Sequence, residues 1–314
     1  MVTTSRRRVF AVCSLAFAAP ALAAEPALFE SRQITPAGEY TSGIEGPAVD
    51  AAGALYVVNF QHPGTVGRLA PDATQSELFA ELPAGSVGVS IRFAGDGRMF
   101  LADYKKHTIF VFERGATEPR VYFQSDQFNQ PNDMAVARDG TIYASDPNWR
   151  RREGQVWRIT PNGDGTGRGT VLASPRKLTT TNGIELSPDE KTLYVAESAT
   201  SEIWAYRVDG DALREPRLVK KFPDFEIDGI RTDRDGRIYV ARILKGTIAI
   251  LTPGGALLRE IPLTASEPTN LAFGGPDGKT VFVTQRKGGF IEAFRVDRAG
   301  REFCLQQRDG CADP

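Results

Sequence analysis

The chain has 314 residues, of which 41% are hydrophobic and 25% are charged, and its formal net charge at pH 7 is −1. That apolar content is enough for one large core or two modest ones, and the balanced charge excludes the basic composition of a nucleic-acid-binding protein. The 31 glycines and 20 prolines favour many short strands joined by turns, so we expect an all-β fold.

The N-terminus has the composition of a targeting segment. Arg6 to Arg8 precede an apolar run from Val9 to Ala24 that ends in small residues. We predict a cleavable signal peptide over residues 1–24 and a single domain over residues 25–314. The order Arg-Arg-Val-Phe fits twin-arginine export, and a basic Sec signal is the alternative. No second apolar run is long enough to cross a bilayer, so we expect a periplasmic or secreted protein without membrane contact.

A unit of two short strands joined by a turn recurs six times along the chain. The copies begin 41 to 50 residues apart, which is close to the spacing of four-stranded propeller blades. Typical copies are VSIRFAGDGRMFLAD from Val89 and DGIRTDRDGRIYVAR from Asp228. The six copies begin at Glu45, Val89, Asn132, Asn182, Asp228 and Thr269.

A third apolar strand follows each copy, for example TIFVFE and TIAILT, and a more variable fourth strand would lead to the next copy. We therefore predict a six-bladed β-propeller over about residues 30–314, with four strands in each blade. A linear solenoid is the competing architecture, but strand-only repeats with three hairpin turns suit a closed ring better.

The residue that begins the first strand of each blade would face a shared funnel at one end of the propeller axis. Four of these six positions carry oxygen ligands, namely Glu45, Asn132, Asn182 and Asp228. Oxygen ligands suit one hard divalent cation, with Ca²⁺ favoured and Zn²⁺, Mn²⁺ or Mg²⁺ as alternatives. Asn and Asp also begin strands because their side chains cap turns, but Glu45 is a poor turn former, and the shared phase favours a metal site.

The order and phase of the motifs EGP, PND, TNG and IDG resemble the gluconolactonase and regucalcin (senescence marker protein) family of six-bladed propellers. The resemblance implies one divalent cation at the centre, held by Glu45, Asn182 and Asp228, with Asn132 contacting the metal or the substrate. It also implies hydrolysis of sugar-acid lactones. Relatives on the same propeller open other lactones or hydrolyse organophosphates.

In such an enzyme the cation would polarise the lactone carbonyl, and Asp228 is our candidate for the base that takes a proton from the attacking water. The resemblance implies a further substrate contact two places before Asn132, where this chain has Gln130 instead of the family's usual basic residue.

The loops after the second strands should open at the same end as the cation. There His107 could position a substrate hydroxyl, and Trp149 could stack on a sugar face. Arg242 belongs to a set of basic residues on this rim that would attract an anionic lactone. Ordinary solvated surface residues are the commoner explanation of such loops.

Cys304 and Cys311 form a close pair that we expect to be a disulfide in an oxidising compartment. We expect a monomer or a weak homo-oligomer. The leading function is therefore a metal-dependent lactone hydrolase acting on a small lactone. The alternatives are a non-enzymatic propeller that binds a ligand or protein, and a phosphotriesterase on the same metal site.

Overall fold

The repeats fold as six antiparallel sheets of four strands each, which confirms the predicted blades. The computed structural model describes residues 1–2, 27–307 and 311, so residues 3–24 of the predicted signal peptide lie outside the described residues. The chain starts with β1 (Arg32–Gln33).

The strands of blades one to five follow one another along the chain. Blade one has β2 (Tyr40–Val49), β3 (Leu55–Phe60), β4 (Thr65–Leu69) and β5 (Glu77–Glu81), and blade two has β6 (Gly88–Phe93), β7 (Met99–Asp103), β8 (Thr108–Phe112) and β9 (Arg120–Gln124). Blade three has β10 (Met134–Val136), β11 (Ile142–Asn148), β12 (Glu153–Pro161) and β13 (Gly167–Val171), and blade four has β14 (Thr181–Leu186), β15 (Leu193–Glu197), β16 (Glu202–Asp209) and β17 (Ala212–Lys221). Blade five has β18 (Ile230–Thr232), β19 (Ile238–Arg242), β20 (Thr247–Leu251) and β21 (Leu257–Pro262).

Blade six is completed from both ends of the chain. It contains β22 (Pro268–Gly274), β23 (Thr280–Gln285) and β24 (Phe290–Arg295), and its fourth strand is β1. Arg32 pairs with Ala293 and Gln33 with Glu292. The repeat analysis did not predict this closure, because β1 stands outside the six copies of the repeat.

The hydrophobic core consists of clusters that each lie between two neighbouring blades. Val58 of blade one packs with Leu101 of blade two, for example. Val57 of blade one packs in the same way with Ala272 and Ile291 of blade six. Burying apolar surface between the first and last blades favours a closed ring, so the structure rejects the solenoid alternative.

Glycines at the axis explain why Glu-Gly, Asn-Gly and Asp-Gly recur where the first strands meet. A Cβ atom at Gly46 would lie 2.4 Å from the Cα of Ser90 in the next blade, and Gly46 has a φ of +55°. A Cβ atom at Gly183 would lie 2.5 Å from the carbonyl oxygen of Asp228. The first strands crowd so closely that a side chain at these positions does not fit.

A short helix, α1 (Arg301–Leu305), departs from the all-β prediction. It lies at the far ends of the first strands, since Arg301 donates to the carbonyl oxygen of Val136 and Gln306 donates to that of Val49, each over 2.8 Å. Cys304 and Cys311 are joined by the expected disulfide. Within the described part of the chain, no helix has the length and apolar character that a bilayer span requires.

Candidate active site

The four predicted oxygen ligands come together in one cavity of about 390 Å³ at the end of the axis opposite α1. Glu45 and Asn182 lie in β2 and β14, at irregularities in the pairing with the second strands. Asn132 and Asp228 lie just before β10 and β18. Val89 and Thr269 of the two remaining blades also line the cavity, so every blade contributes its first-strand position.

A second ring of residues forms the wall of the cavity, again with one residue from each blade. Each member lies within one residue of the end of a second strand, in the order Asn59, Tyr104, Trp149, Ser198, Ile243 and Arg286. From this ring, sequence analysis named Trp149, and Arg286 belongs to the set of basic rim residues predicted with Arg242. The shared repeat phase of the six residues was the signal that could have identified the others.

Asn182 is oriented by a short hydrogen-bond relay. Its Nδ2 donates to the Ser198 Oγ over 3.0 Å, and that hydroxyl donates to the carbonyl oxygen of Ile227 over 2.7 Å. The Asn182 side chain is only 5% exposed, and its Oδ1 has no hydrogen-bond partner. A buried acceptor without a donor costs free energy unless a ligand satisfies it.

Two carboxylates of the cavity, Glu45 and Asp228, have raised pKa values. Burial raises the pKa of Glu45 well above its usual value, and the negative charges of Asp228 and Asp133 raise it further. Burial likewise raises the pKa of Asp228 to about 7, the Asn182 amide opposes this shift, and Asp133 adds to it. Two carboxylates that repel each other in one cavity favour a bound cation or a bound proton.

The arginines at the axis do not neutralise these carboxylates. Arg92 and Arg231 both pair with Asp133, which lies one residue beyond Asn132. Among the described residues, neither Glu45 nor Asp228 forms an ion pair. Arg286 in the same lining offsets part of the charge of Asp228, and the remaining negative charge is left for a ligand of the cavity to compensate.

The donor set fits a hard divalent cation. The two carboxylates could balance a charge of +2, and the free oxygen of Asn182 supplies a neutral ligand, which matches the oxygen preference of Ca²⁺ and Mg²⁺. No cluster of three or more His, Cys, Asp or Glu side chains suited to a metal occurs among the described residues. The amide oxygens are therefore essential to such a site.

Arg242 does not belong to this site, contrary to our expectation. Its side chain is 1% exposed and contacts Asp224 over 2.7 Å and Glu260 over 3.5 Å. Its guanidinium carbon also lies 3.8 Å from the centre of the Phe222 ring. Acidic residues on neighbouring segments thus hold Arg242 inside blade five, away from any ligand of the cavity.

His107 and Gln130 also lie outside the cavity lining, whereas Trp149 is part of it and is 40% exposed. Gln130 takes part in the loop through its backbone, whose N–H donates to Asp146 over 2.6 Å. Arg286 is the basic rim residue that reaches the lining, and it pairs with Glu267 over 2.8 Å. The wall therefore offers two aromatic side chains, Tyr104 and Trp149, and the cation of Arg286 to a ligand.

Comparisons with known proteins show the family and the fold. The chain is 27% identical over 225 residues to a gluconolactonase of Zymomonas mobilis, covering 64% of this chain and 60% of that protein. It is 30% identical over 170 residues to a 6-deoxy-6-sulfogluconolactonase of Pseudomonas putida, covering 52% and 54%. These matches thus span only somewhat more than half the length of either relative.

The fold is shared with a solved gluconolactonase structure from Xanthomonas campestris, with a TM-score of 0.68 and 24% identity over 84% of this chain and 87% of that one. Residues 43–287 match the family described as the SMP-30/Gluconolactonase/LRE-like region, a span that contains all four candidate ligands. The chain belongs to the SMP-30/gluconolactonase/LRE-like family.

Proposed function

We propose that this protein hydrolyses the ring of a sugar-acid lactone at a single divalent cation, with Ca²⁺ as the favoured ion. The observation that carries the proposal is the cavity itself. Two unpaired carboxylates and a buried amide oxygen without a donor line the same cavity. A propeller that only binds a partner has no need of such a costly arrangement.

Glu45, Asn182 and Asp228 would hold the cation, with Asn132 beside it as a further ligand or a substrate contact. When bound, the cation would supply a positive charge that polarises a carbonyl and stabilises the negative charge that develops on its oxygen. Hydrolysis adds the oxygen of water to the carbonyl carbon and breaks the bond from that carbon to the ring oxygen.

We propose that Asp228 transfers the proton in this reaction. Its carboxylate lines the cavity together with Glu45 and Asn182, so it could reach a water molecule held at the cation. A carboxylate of this kind can accept a proton from water at neutral pH. The ring oxygen needs a proton as it leaves, and Asp228 can return the proton that it took.

The cavity wall favours a sugar-derived ring that carries a negative charge. Trp149 offers an apolar face on which a sugar ring can stack, and Arg286 offers a cation at the rim. The Pseudomonas putida relative is named for a lactone that carries a sulfonate. We therefore propose lactones of anionic sugar acids as the substrate class.

The direct test is to titrate chelated protein with Ca²⁺, Zn²⁺, Mn²⁺ and Mg²⁺ while acid release from aldonolactones is recorded. Each ion should be tested with a neutral lactone and with one that bears a carboxylate. Acid release restored by one ion, and weakened by added salt only for the charged lactone, would support the proposal. An organophosphate ester belongs in the same series, because a phosphotriesterase would use the same cation and water.

Cation binding without acid release from any lactone would move the assignment to the phosphotriesterase or the binding propeller.

We also propose export, because the arginines at residues 6–8 and the apolar run after them have the pattern of a signal peptide. Fractionating cells that express the full chain, followed by N-terminal sequencing, tests this separately. A cytoplasmic product that keeps its first residues would contradict it.

A further inference from the structure

A cluster of buried charges fills the propeller axis beneath the cavity. Arg92 comes from blade two, Asp133 from blade three and Arg231 from blade five. Asp133 accepts from both arginines, with 3.0 Å between the Arg231 Nη1 and the Asp133 Oδ2. Blades three and five are not neighbours, so this contact can form only at the centre of the ring.

The C-terminal helix α1 inserts a second carboxylate into this cluster. Oε1 of Glu302 lies 3.0 Å from the Nε of Arg92 and 3.2 Å from the Nε of Arg231. Both arginines are buried, with side chains 2% and 0% exposed. The two arginines therefore lie between Asp133 on the cavity side and Glu302 on the helix side.

The same helix is fixed from two directions. Arg301 pairs with Glu185 over 3.2 Å and with Glu190 over 2.7 Å, both of which belong to blade four. The disulfide from Cys304, which lies within the helix, to Cys311 also ties the helix to the segment that follows it. The position of Glu302 is thus set by contacts that have no part in the cavity.

The charge of this cluster reaches the candidate ligands. Asp133 directly follows Asn132, which lines the cavity, and its carboxylate accepts from the buried Arg92 and Arg231. Charges interact over longer distances where water is excluded. A change in the balance between the arginines and their carboxylates must therefore alter the potential in the cavity.

We infer that Glu302 is a positioning residue of the cation site, which sets the affinity for the cation by balancing Arg92 and Arg231 from below. This inference rests on the proposed metal centre. Without Glu302, the arginines would leave an uncompensated positive charge under the cavity. That charge would repel a divalent cation and weaken its binding roughly three- to tenfold.

The test is calorimetric titration of chelated protein with CaCl₂, comparing the unmodified protein with Glu302→Gln. The matched control is Glu77→Gln, which removes the same charge from an exposed ion pair with Arg68 on an outer strand. We expect roughly three- to tenfold weaker Ca²⁺ binding for Glu302→Gln and no change for the control. Glu302→Asp keeps the charge and should stay near the unmodified affinity.

A double variant, Arg92→Gln with Glu302→Gln, separates charge balance from mere damage to the fold. Because it removes one charge of each sign, the affinity should return toward that of the unmodified protein, whereas a purely structural role would weaken it further. Unchanged affinity in a folded Glu302→Gln protein would overturn the inference and leave the metal centre standing. If Glu302→Gln fails to fold, weaker binding by Glu302→Asp together with a worse double variant would also overturn it. Absence of Ca²⁺ binding by the unmodified protein would remove the metal centre, and this inference with it.

Discussion

Single residues of the cavity have separable roles, and Asp228 is the one with two. It is a candidate cation ligand and the candidate base, whereas Glu226 is an exposed carboxylate of the same lining that has neither role. A carboxylate and an amide have nearly the same shape, so substitution by asparagine removes charge and basicity with little change in packing.

We expect Asp228→Asn to lower kcat by a hundredfold or more, because proton transfer by a positioned side chain contributes about 10²- to 10⁴-fold. The rate should be measured by titrating released acid at a saturating concentration of the cation, because incomplete occupancy of a weakened metal site would also lower the rate. The matched control, Glu226→Gln, should stay within a few-fold of the unmodified rate. Full activity in Asp228→Asn would remove this residue from the mechanism.

Asp233 shows how burial couples one residue to the pH dependence of stability. It follows β18, accepts from the backbone N–H groups of Asp235 and Arg237, and is fully buried. Burial raises its pKa to about 6, and Arg237 opposes the shift. The folded state therefore holds this proton more tightly than the unfolded state, in which an aspartate titrates near its ordinary value.

The stabilising contribution of Asp233 is complete below pH 4 and is lost as the pH rises through about 6. The asparagine of the Asp233→Asn variant cannot titrate. The free energy of unfolding of this variant, relative to that of the unmodified protein, should therefore rise by about 3 kcal/mol between pH 4 and pH 7. Urea unfolding at several pH values measures this difference. A difference that does not vary with pH would contradict the raised pKa.

At the scale of elements, the first strands are placed by the contacts between them as well as by their own pairing. Gly183 in β14 meets the backbone of blade five, because a Cβ atom there would lie 2.5 Å from the Asp228 carbonyl oxygen and 2.6 Å from the Ile230 nitrogen. Backbone atoms on this neighbour cannot move aside as a flexible side chain would. The glycine thus sets how closely Asn182 approaches Asp228.

We expect Gly183→Ala to lower the free energy of unfolding by about 2 kcal/mol or more, since forcing atoms into a packed site typically costs about 1–3 kcal/mol. Gly254→Ala is the control, because the nearest atom to its added Cβ would be the Thr252 hydroxyl at 3.7 Å. Urea unfolding of both variants provides the measurement. Equal stability of the two would show that the first strands can separate without cost.

At the scale of the whole molecule, the ring depends on β1. The two residues of this strand cover the edge of β24, and Phe29 just before them packs against the cluster between blades five and six. Without the strand, β24 would present unpaired backbone groups to solvent.

A protein that begins at residue 36 should therefore unfold about 10 °C below one that begins at residue 27, and should associate through the exposed edge. Thermal unfolding and gel filtration of the two proteins test this. Identical unfolding temperatures would mean that three strands suffice for the last blade.

The sequence predicts the blades and the convergence of the four candidate ligands because both follow a repeat, and Glu45, Asn132, Asn182 and Asp228 occupy one phase of it. It does not predict that Arg242 is buried, because its partner Asp224 lies in the connection between blades four and five and its partner Glu260 lies in a variable fourth strand. The charges of the axis were missed for a similar reason. Arg92 and Arg231 interrupt apolar strands at the same phase, and only the ring shows that they meet.

The pairing of β1 with β24 in blade six also determines when the fold can be completed during synthesis. Arg32 emerges early from the ribosome, and its partner Ala293 emerges near the end. At about 5–20 residues per second, the earliest strand waits on the order of tens of seconds for its neighbour. Synthesis from one end to the other thus produces an open arc, which can shut only after nearly all of the polypeptide has been made.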